Sequence, residues 1–161
     1  FFYRLLLNEN SIIMNIDFNT YVGIGTLIAT VIAAVGLIVG IRVYRRQMNA
    51  QVFIEYTKRY ENVLSSFPQE AQKVRLDLTG KPPDPSKEIT KSVLRYLNLC
   101  SEEFYLWNQG YLSKKIWQIW EAELKRTLQS PLLKREWDEL KKEFEAYPEF
   151  SDYVDQIQEH N

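Results

Sequence analysis

An uninterrupted run of uncharged residues, from Tyr21 to Ile41, is the most prominent hydrophobic pattern of the chain. At about 1.5 Å per residue, a helix of this length covers the roughly 30 Å hydrocarbon core of a bilayer. A buried helix of a soluble protein rarely extends so far without a strongly polar residue, and a cleaved signal peptide has a basic start and a shorter apolar core. We therefore predict one transmembrane helix over residues 21–43.

The charges on either side of this run indicate its orientation. Three arginines follow the run directly, whereas the preceding residues hold Arg4 together with Glu9 and Asp17. Positively charged flanks favour the cytoplasmic side. The arginines predict a basic cluster at the membrane interface that can contact lipid headgroups, although such charges also simply set topology: Arg42, Arg45 and Arg46.

This orientation divides the chain into three parts. We expect an inner (plasma) membrane protein of the single-pass type, with residues 1–20 as a short extracytoplasmic segment and residues 44–161 as a cytosolic domain. Met14 could serve as the initiator, in which case residues 1–13 are not native. We assign those residues no function.

Small residues recur along the predicted membrane helix at steps of three and four positions, which places them on one helical face. Small faces allow helix backbones to approach closely, and close approach drives association in lipid. Because glycine and alanine are also common in membrane helices generally, the pattern is compatible with a monomer too. The association face predicted by this spacing consists of Gly25, Ala29, Ala33, Gly36 and Gly40.

After the arginines, apolar residues continue at helical spacing in several blocks. The membrane helix should continue to the segment before Pro68, and a short helix should cover residues 69–78. Residues 79–86 form a loop rich in proline, after which Ser86 is expected to cap a long central helix that ends at Gly110. Strands have no support from two-residue alternation.

Three further helices complete the predicted architecture. Ser113 should cap the first, and Ser130 followed by Pro131 should open the second, which we expect to continue past Tyr147 and to end at Pro148. A final short helix follows. We thus predict an all-α chain in which a single N-terminal transmembrane helix continues into a cytosolic bundle of about four to five helices.

Composition excludes several function classes. With 20 Lys+Arg against 21 Asp+Glu, the net charge is -1, which offers no electrostatic basis for binding nucleic acid. The single cysteine, Cys100, has no partner for an internal disulfide, and the single histidine, His160, lies next to the C-terminus. Neither a His/Cys zinc site nor a Cys-His catalytic pair is expected.

Catalytic chemistry has little support elsewhere. Glu102 and Glu103 lie on the predicted central helix, where neighbouring positions point about 100° apart, so at most one of them faces inward and a structural salt bridge is the favoured reading. The tryptophans lie on apolar stripes and are interpreted as packing residues. Phosphate-binding loops and nucleophile motifs are absent from the sequence. We expect a protein that is not an enzyme and has no cofactor and no metal.

The segment from Gly110 to Val154, together with the junction Arg45-Arg46-Gln47, resembles an uncharacterised bacterial family of membrane-anchored helical proteins. The matching positions are mainly packing residues and include Trp120, Trp137 and Phe150. The resemblance implies one N-terminal transmembrane helix and a cytosolic helical domain of unknown function. It implies no active residues.

Two functions remain open at this point, and a third, enzymatic one would require a deep polar pocket that holds Glu102 or Glu103 opposite another acid. The first is a membrane-tethered interaction or scaffold module that self-associates or binds a protein partner, with membrane lipid as its surroundings. The alternative is a ligand-gated membrane effector, in which the cytosolic bundle senses a small molecule and rearranges the transmembrane helices.

Overall fold

The computed structural model describes the backbone of residues 2–159 and the side chains of residues 18–159. Two predictions concern residues whose side chains lie outside this described part: that residues 1–13 are not native, and that His160 takes part in no zinc site or catalytic pair. The fold is all-helical, as predicted, and no strand occurs within the described residues. The helices are α1 Phe2–Ser65, α2 Gln69–Val74, α3 Lys87–Asn108, α4 Lys114–Leu128, α5 Pro131–Leu140 and α6 Pro148–Glu159, with a 3₁₀ turn at Lys141–Phe144. The chain divides into two compact units, residues 1–48 and residues 49–161.

The apolar side chains described in the first unit are exposed, and no described residue packs over them. Every residue from Phe18 to Met48 is exposed, and an 18-residue stretch of mean hydropathy 2.5 has no buried residue. The hydroxyl groups of Thr26 and Thr30 donate to the carbonyl oxygens of Val22 and Thr26, each at 2.9 Å, so the helix satisfies its own polar groups. By length and composition, this helix near the N-terminus is therefore able to span a membrane.

The second unit is a helical bundle with its own hydrophobic core. α3 supplies more of the buried apolar side chains than any other helix, because its apolar residues recur at three- and four-residue steps and so face inward together. The remaining helices close around it, and the C-terminal part of α1 contributes Tyr60 and Val63 at the edge. The most deeply buried apolar residues include Ile89, Val93, Leu97, Leu128, Leu132, Leu133, Trp137, Phe144, Phe150 and Val154.

Most predicted helix boundaries are confirmed, each by a specific interaction. α1 ends at Ser65, just before Pro68. Ser86 Oγ accepts a hydrogen bond from the Ile89 N–H at 3.2 Å, and Ser130 Oγ accepts one from the Leu133 N–H at 3.3 Å. Gly110 has a φ of 72°, which glycine adopts without the steric penalty of a Cβ atom.

Two predictions about where helices begin and end were wrong in detail. Ser113 stands at the N-terminus of α4, but its side chain makes no capping hydrogen bond; instead its backbone N–H donates to Asn49 Oδ1 at 2.9 Å. α2 stops at Val74 instead of continuing to residue 78. The reason is a turn in which Asp77 Oδ1 accepts the N–H groups of Thr79 and Gly80 at 3.0 and 2.9 Å, which holds the backbone out of helical geometry.

The helix predicted to continue past Tyr147 is also shorter. α5 ends at Leu140, and the 3₁₀ turn that follows places the Phe144 ring 5.5 Å from that of Trp137 and 5.6 Å from that of Phe150. Tyr147 is left 54% exposed. Pro148 does not end a helix but begins α6, where a residue without an N–H and with a fixed φ is favoured.

Candidate functional site

A cavity of about 200 Å³ lies within the helical bundle, between the C-terminal part of α1, α3 and α4. An apolar cavity of about 150 Å³ can hold a benzene ring, so this one has room for a small organic molecule. Its wall combines five aromatic side chains with two carboxylates. The aromatic residues are Phe53, Tyr56, Tyr60, Tyr96 and Trp120, and the carboxylates belong to Glu103 and Glu123.

α1 supplies three of the aromatic side chains because of its periodicity. Phe53, Tyr56 and Tyr60 are three and four positions apart and therefore share one face of the helix. The rings of Phe53 and Tyr56 lie 6.2 and 5.4 Å from that of Trp120 on α4, and the ring of Tyr60 meets that of Tyr96 edge-on at 6.4 Å. These contacts join the three helices around the cavity.

Glu103 is the most informative residue of the wall. It is only 7% exposed, and among residues 18–159 no cationic side chain forms an ion pair with it. Burial raises the pKa of its carboxyl group to about 8, while the positive charge of Arg59 lowers this pKa and the negative charge of Glu102 raises it. An acid that is buried without a partner is costly to ionise, and its environment therefore marks it as a site candidate.

The neighbouring Glu102 points elsewhere, as the helical geometry predicted. Its carboxylate accepts two hydrogen bonds from the Arg59 guanidinium, at 2.6 and 2.9 Å, and one from the Tyr56 hydroxyl at 3.2 Å. The hydrogen bonds from Arg59 lower the pKa of Glu102. This is the structural salt bridge that the sequence favoured.

The other carboxylate of the cavity is already engaged. Glu123 accepts hydrogen bonds from the Tyr60 hydroxyl and, at 3.3 Å, from the Arg75 guanidinium. Cys100 also reaches the wall from α3, and burial raises the pKa of its thiol well above the usual value. A thiol in this state is a poor nucleophile. Glu103 therefore carries the one acid group of the wall that lacks an ion pair or hydrogen bond within the described side chains.

A second buried carboxylate, Glu136, was not identified from the sequence. It is 2% exposed and accepts hydrogen bonds from Thr90 Oγ1 at 2.7 Å and from the Arg135 guanidinium at 2.6 and 3.0 Å. Arg135 also donates to the carbonyl oxygen of Pro83 at 2.5 Å. The cluster fixes the proline-rich loop and the start of α3 to α5, which is a structural role.

The predicted association face of the membrane helix and the predicted basic cluster at the membrane interface both lie on α1. At about 100° per residue, Gly25, Ala29, Ala33, Gly36 and Gly40 fall within about 80° of arc on one face. Nothing lies within 4 Å of the positions where a Cβ atom would stand on Gly25, Gly36 or Gly40. The basic cluster Arg42, Arg45 and Arg46 is exposed. The self-association of the small face and the lipid contacts of the cluster stay predictions.

The tryptophans follow the packing interpretation with one exception. Trp117 and Trp137 are buried, and the ring of Trp107 stacks on that of Trp117 at 5.7 Å. Trp120, by contrast, faces the cavity. Among the described side chains, no group of three or more His, Cys, Asp or Glu residues is placed to hold a metal ion.

Comparisons with models of protein families, with curated proteins and with solved structures give no match for this chain. The resemblance to a family of membrane-anchored helical proteins therefore stays an expectation.

Proposed function

We propose that this chain is a single-pass membrane protein whose helical domain acts as a non-catalytic binding module on the cytoplasmic side. The observation that carries the proposal is the apolar part of α1, whose side chains are all exposed although they match the interior of a bilayer in composition and length. The bundle has a separate core and does not need this segment to bury its apolar residues.

The orientation and the membrane follow from the charges beside the segment. Arg42, Arg45 and Arg46 stand on the side of the bundle, which the positive-inside rule assigns to the cytoplasm of a bacterial inner membrane. A protein tethered in this way meets its partners at the membrane surface. Its effective concentration there is raised by the anchor alone.

Membrane anchoring is tested by alkaline carbonate extraction of the full chain from bacterial membranes. The wild-type chain should stay in the membrane fraction. A variant with Val31→Arg and Val35→Arg should be released or fail to insert, because each arginine near the bilayer centre costs about 2.5–3.5 kcal/mol of insertion free energy. A matched control, Asn62→Arg with Ser65→Arg on exposed positions of the same helix, should behave as the wild type. Release of the wild-type chain would contradict the proposal.

Self-association through the small-residue face is part of the proposal. Gly36→Leu with Gly40→Leu should convert an oligomer in maltoside micelles to a monomer, as measured by light scattering corrected for detergent mass, because the larger side chains keep the helix backbones apart. Gly23→Leu is the matched control: Gly23 lies about 160° from Gly25 around the helix and has equally open surroundings. A wild-type monomer, or equal effects of both variants, would argue against this face.

A second candidate function, the ligand-gated membrane effector, is favoured by the cavity. Three of its wall residues, Phe53, Tyr56 and Tyr60, belong to α1, the helix that also carries the apolar segment. A ligand in the cavity would therefore contact this helix directly. On this proposal the module binds a small molecule in its bundle and responds through α1.

A further inference from the structure

The wall of the cavity combines aromatic rings with a carboxyl group that has no ion pair within the described residues, and one class of ligand, an organic cation, can bind to both. Aromatic rings attract cations through the negative potential of their faces, and quaternary ammonium groups are recognised by cages of such rings. A carboxylate without a partner inside the protein gains most from a cation that enters from outside. Both features meet at Glu103, which shares the wall with five aromatic side chains.

We propose that the cavity binds a small organic ammonium cation, with Glu103 as the counter-charge and the rings of Tyr56, Tyr96 and Trp120 as the surrounding cage. This inference rests on the proposed binding function of the helical domain and names the chemical class of its ligand. Glu103 is more than nine-tenths buried and reaches the cavity from α3. The cavity volume of about 200 Å³ suits a trimethylammonium or similar alkylammonium group better than a nucleotide.

The cationic side chains nearest to Glu103 are paired with other carboxylates, and within residues 18–159 none of them forms an ion pair with Glu103. Arg59 is held by Glu102 through two hydrogen bonds, and Arg75 contacts Glu123. Burial raises the pKa of two further wall groups, Tyr96 and Cys100, which are therefore neutral at physiological pH. Burial also raises the pKa of Glu123, whereas the positive charge of Arg126 lowers it. The groups that face Glu103 from α1, α3 and α4, or that neutralise those facing it, are Tyr56, Arg59, Tyr60, Arg75, Tyr96, Cys100, Glu102 and Glu123.

Binding should therefore depend on pH. A cation selects the ionised form of Glu103, whose pKa is raised to about 8 by burial. The affinity should increase by roughly fivefold between pH 7 and pH 8 and level off near pH 9, because a smaller share of the binding energy is then spent on removing the proton.

The experiment is a titration of the full-length chain in maltoside micelles with choline, followed by tryptophan fluorescence and isothermal calorimetry. The neutral isostere 3,3-dimethyl-1-butanol should bind at least tenfold more weakly. Glu103→Gln should weaken choline binding by at least tenfold and abolish its pH dependence. The control Glu61→Gln, an exposed glutamate on α1, should leave both unchanged.

Three results would overturn the inference. The first is equal binding of choline and its neutral isostere, and the second is choline binding that Glu103→Gln does not alter. The third is the absence of choline binding by a chain whose circular dichroism shows an intact helical bundle. None of these results affects the carbonate extraction, so failure of the ligand proposal is distinct from failure of the anchor proposal.

An ammonium group can belong to a free amine or to a choline lipid headgroup. A second arm therefore repeats the choline titration in micelles doped with phosphatidylcholine. Competition by the lipid would identify the headgroup as the source of the cation, and unaltered choline affinity would identify the free amine. Both results support ammonium recognition at Glu103.

Discussion

Glu103 and Glu136 are both buried glutamates of the same bundle, but their surroundings differ. Glu136 accepts hydrogen bonds from Thr90 and Arg135, so that both of its carboxylate oxygens have a hydrogen-bond donor. Glu103 faces a cavity lined with aromatic side chains, and within residues 18–159 it has no ion pair. A carboxylate that is surrounded by donors stabilises the fold, whereas one that is buried without them destabilises it when ionised. Glu136 is therefore a structural acid, whereas Glu103 is a candidate for ligand binding.

Removing the charge at Glu136 should cause the largest loss of stability. Glu136→Gln should lower the free energy of unfolding by about 3 kcal/mol at pH 7, because Arg135 then lacks its counter-charge in a partly buried position. Denaturant unfolding of the chain in maltoside micelles, followed by tryptophan fluorescence, measures this loss. A change below about 0.5 kcal/mol would mean that the pair contributes no more than an exposed one.

The matching substitution at Glu103 should instead raise the free energy of unfolding. The folded chain holds the Glu103 proton up to about pH 8, whereas the ordinary value is 4.5. The stabilisation associated with that proton is therefore complete below about pH 4.5 and is lost as pH rises through about 8. Glu103→Gln should remove this loss and stabilise the chain by roughly 4 kcal/mol at pH 8, but by less than about 1 kcal/mol at pH 5.

Unfolding curves of wild type and Glu103→Gln at several values between pH 5 and pH 9 test this directly. Glu102→Gln is the control and should give the smallest effect, below about 1 kcal/mol, because the Arg59 pair is exposed to solvent. A Glu103→Gln chain that is less stable than wild type at pH 8 would show that Glu103 has a structural partner like that of Glu136.

The fold could be predicted largely from periodicity and capping residues. Ser86, Ser130 with Pro131, and Gly110 each carry a local signal that the structure uses in the expected way. The failures are places where packing or a side-chain turn overrides the pattern: Asp77 ends α2 early, and the burial of Phe144 converts the end of α5 into a 3₁₀ turn.

The candidate site was only partly predictable. Helical geometry indicated that at most one of Glu102 and Glu103 faces inward, but not that a cavity would lie in front of it. The cavity depends on residues from three helices, and the Arg59–Glu102 pair joins positions that are 43 apart in the chain. Arg135 and Glu136 are neighbours in sequence, and adjacent helical positions do not normally face each other, so the sequence pattern offered no sign of their contact.

The pKa of the Glu103 carboxyl group, measured with and without a cation, shows whether this acid is a buried cation-binding group. Carbon-13 NMR of the chain labelled at glutamate carboxyls, with Glu103→Gln used for assignment, follows this titration in maltoside micelles. We expect a pKa of about 8 for the free chain and a clearly lower pKa in saturating choline. A pKa near the ordinary value of 4.5 that choline does not move would refute cation binding at Glu103.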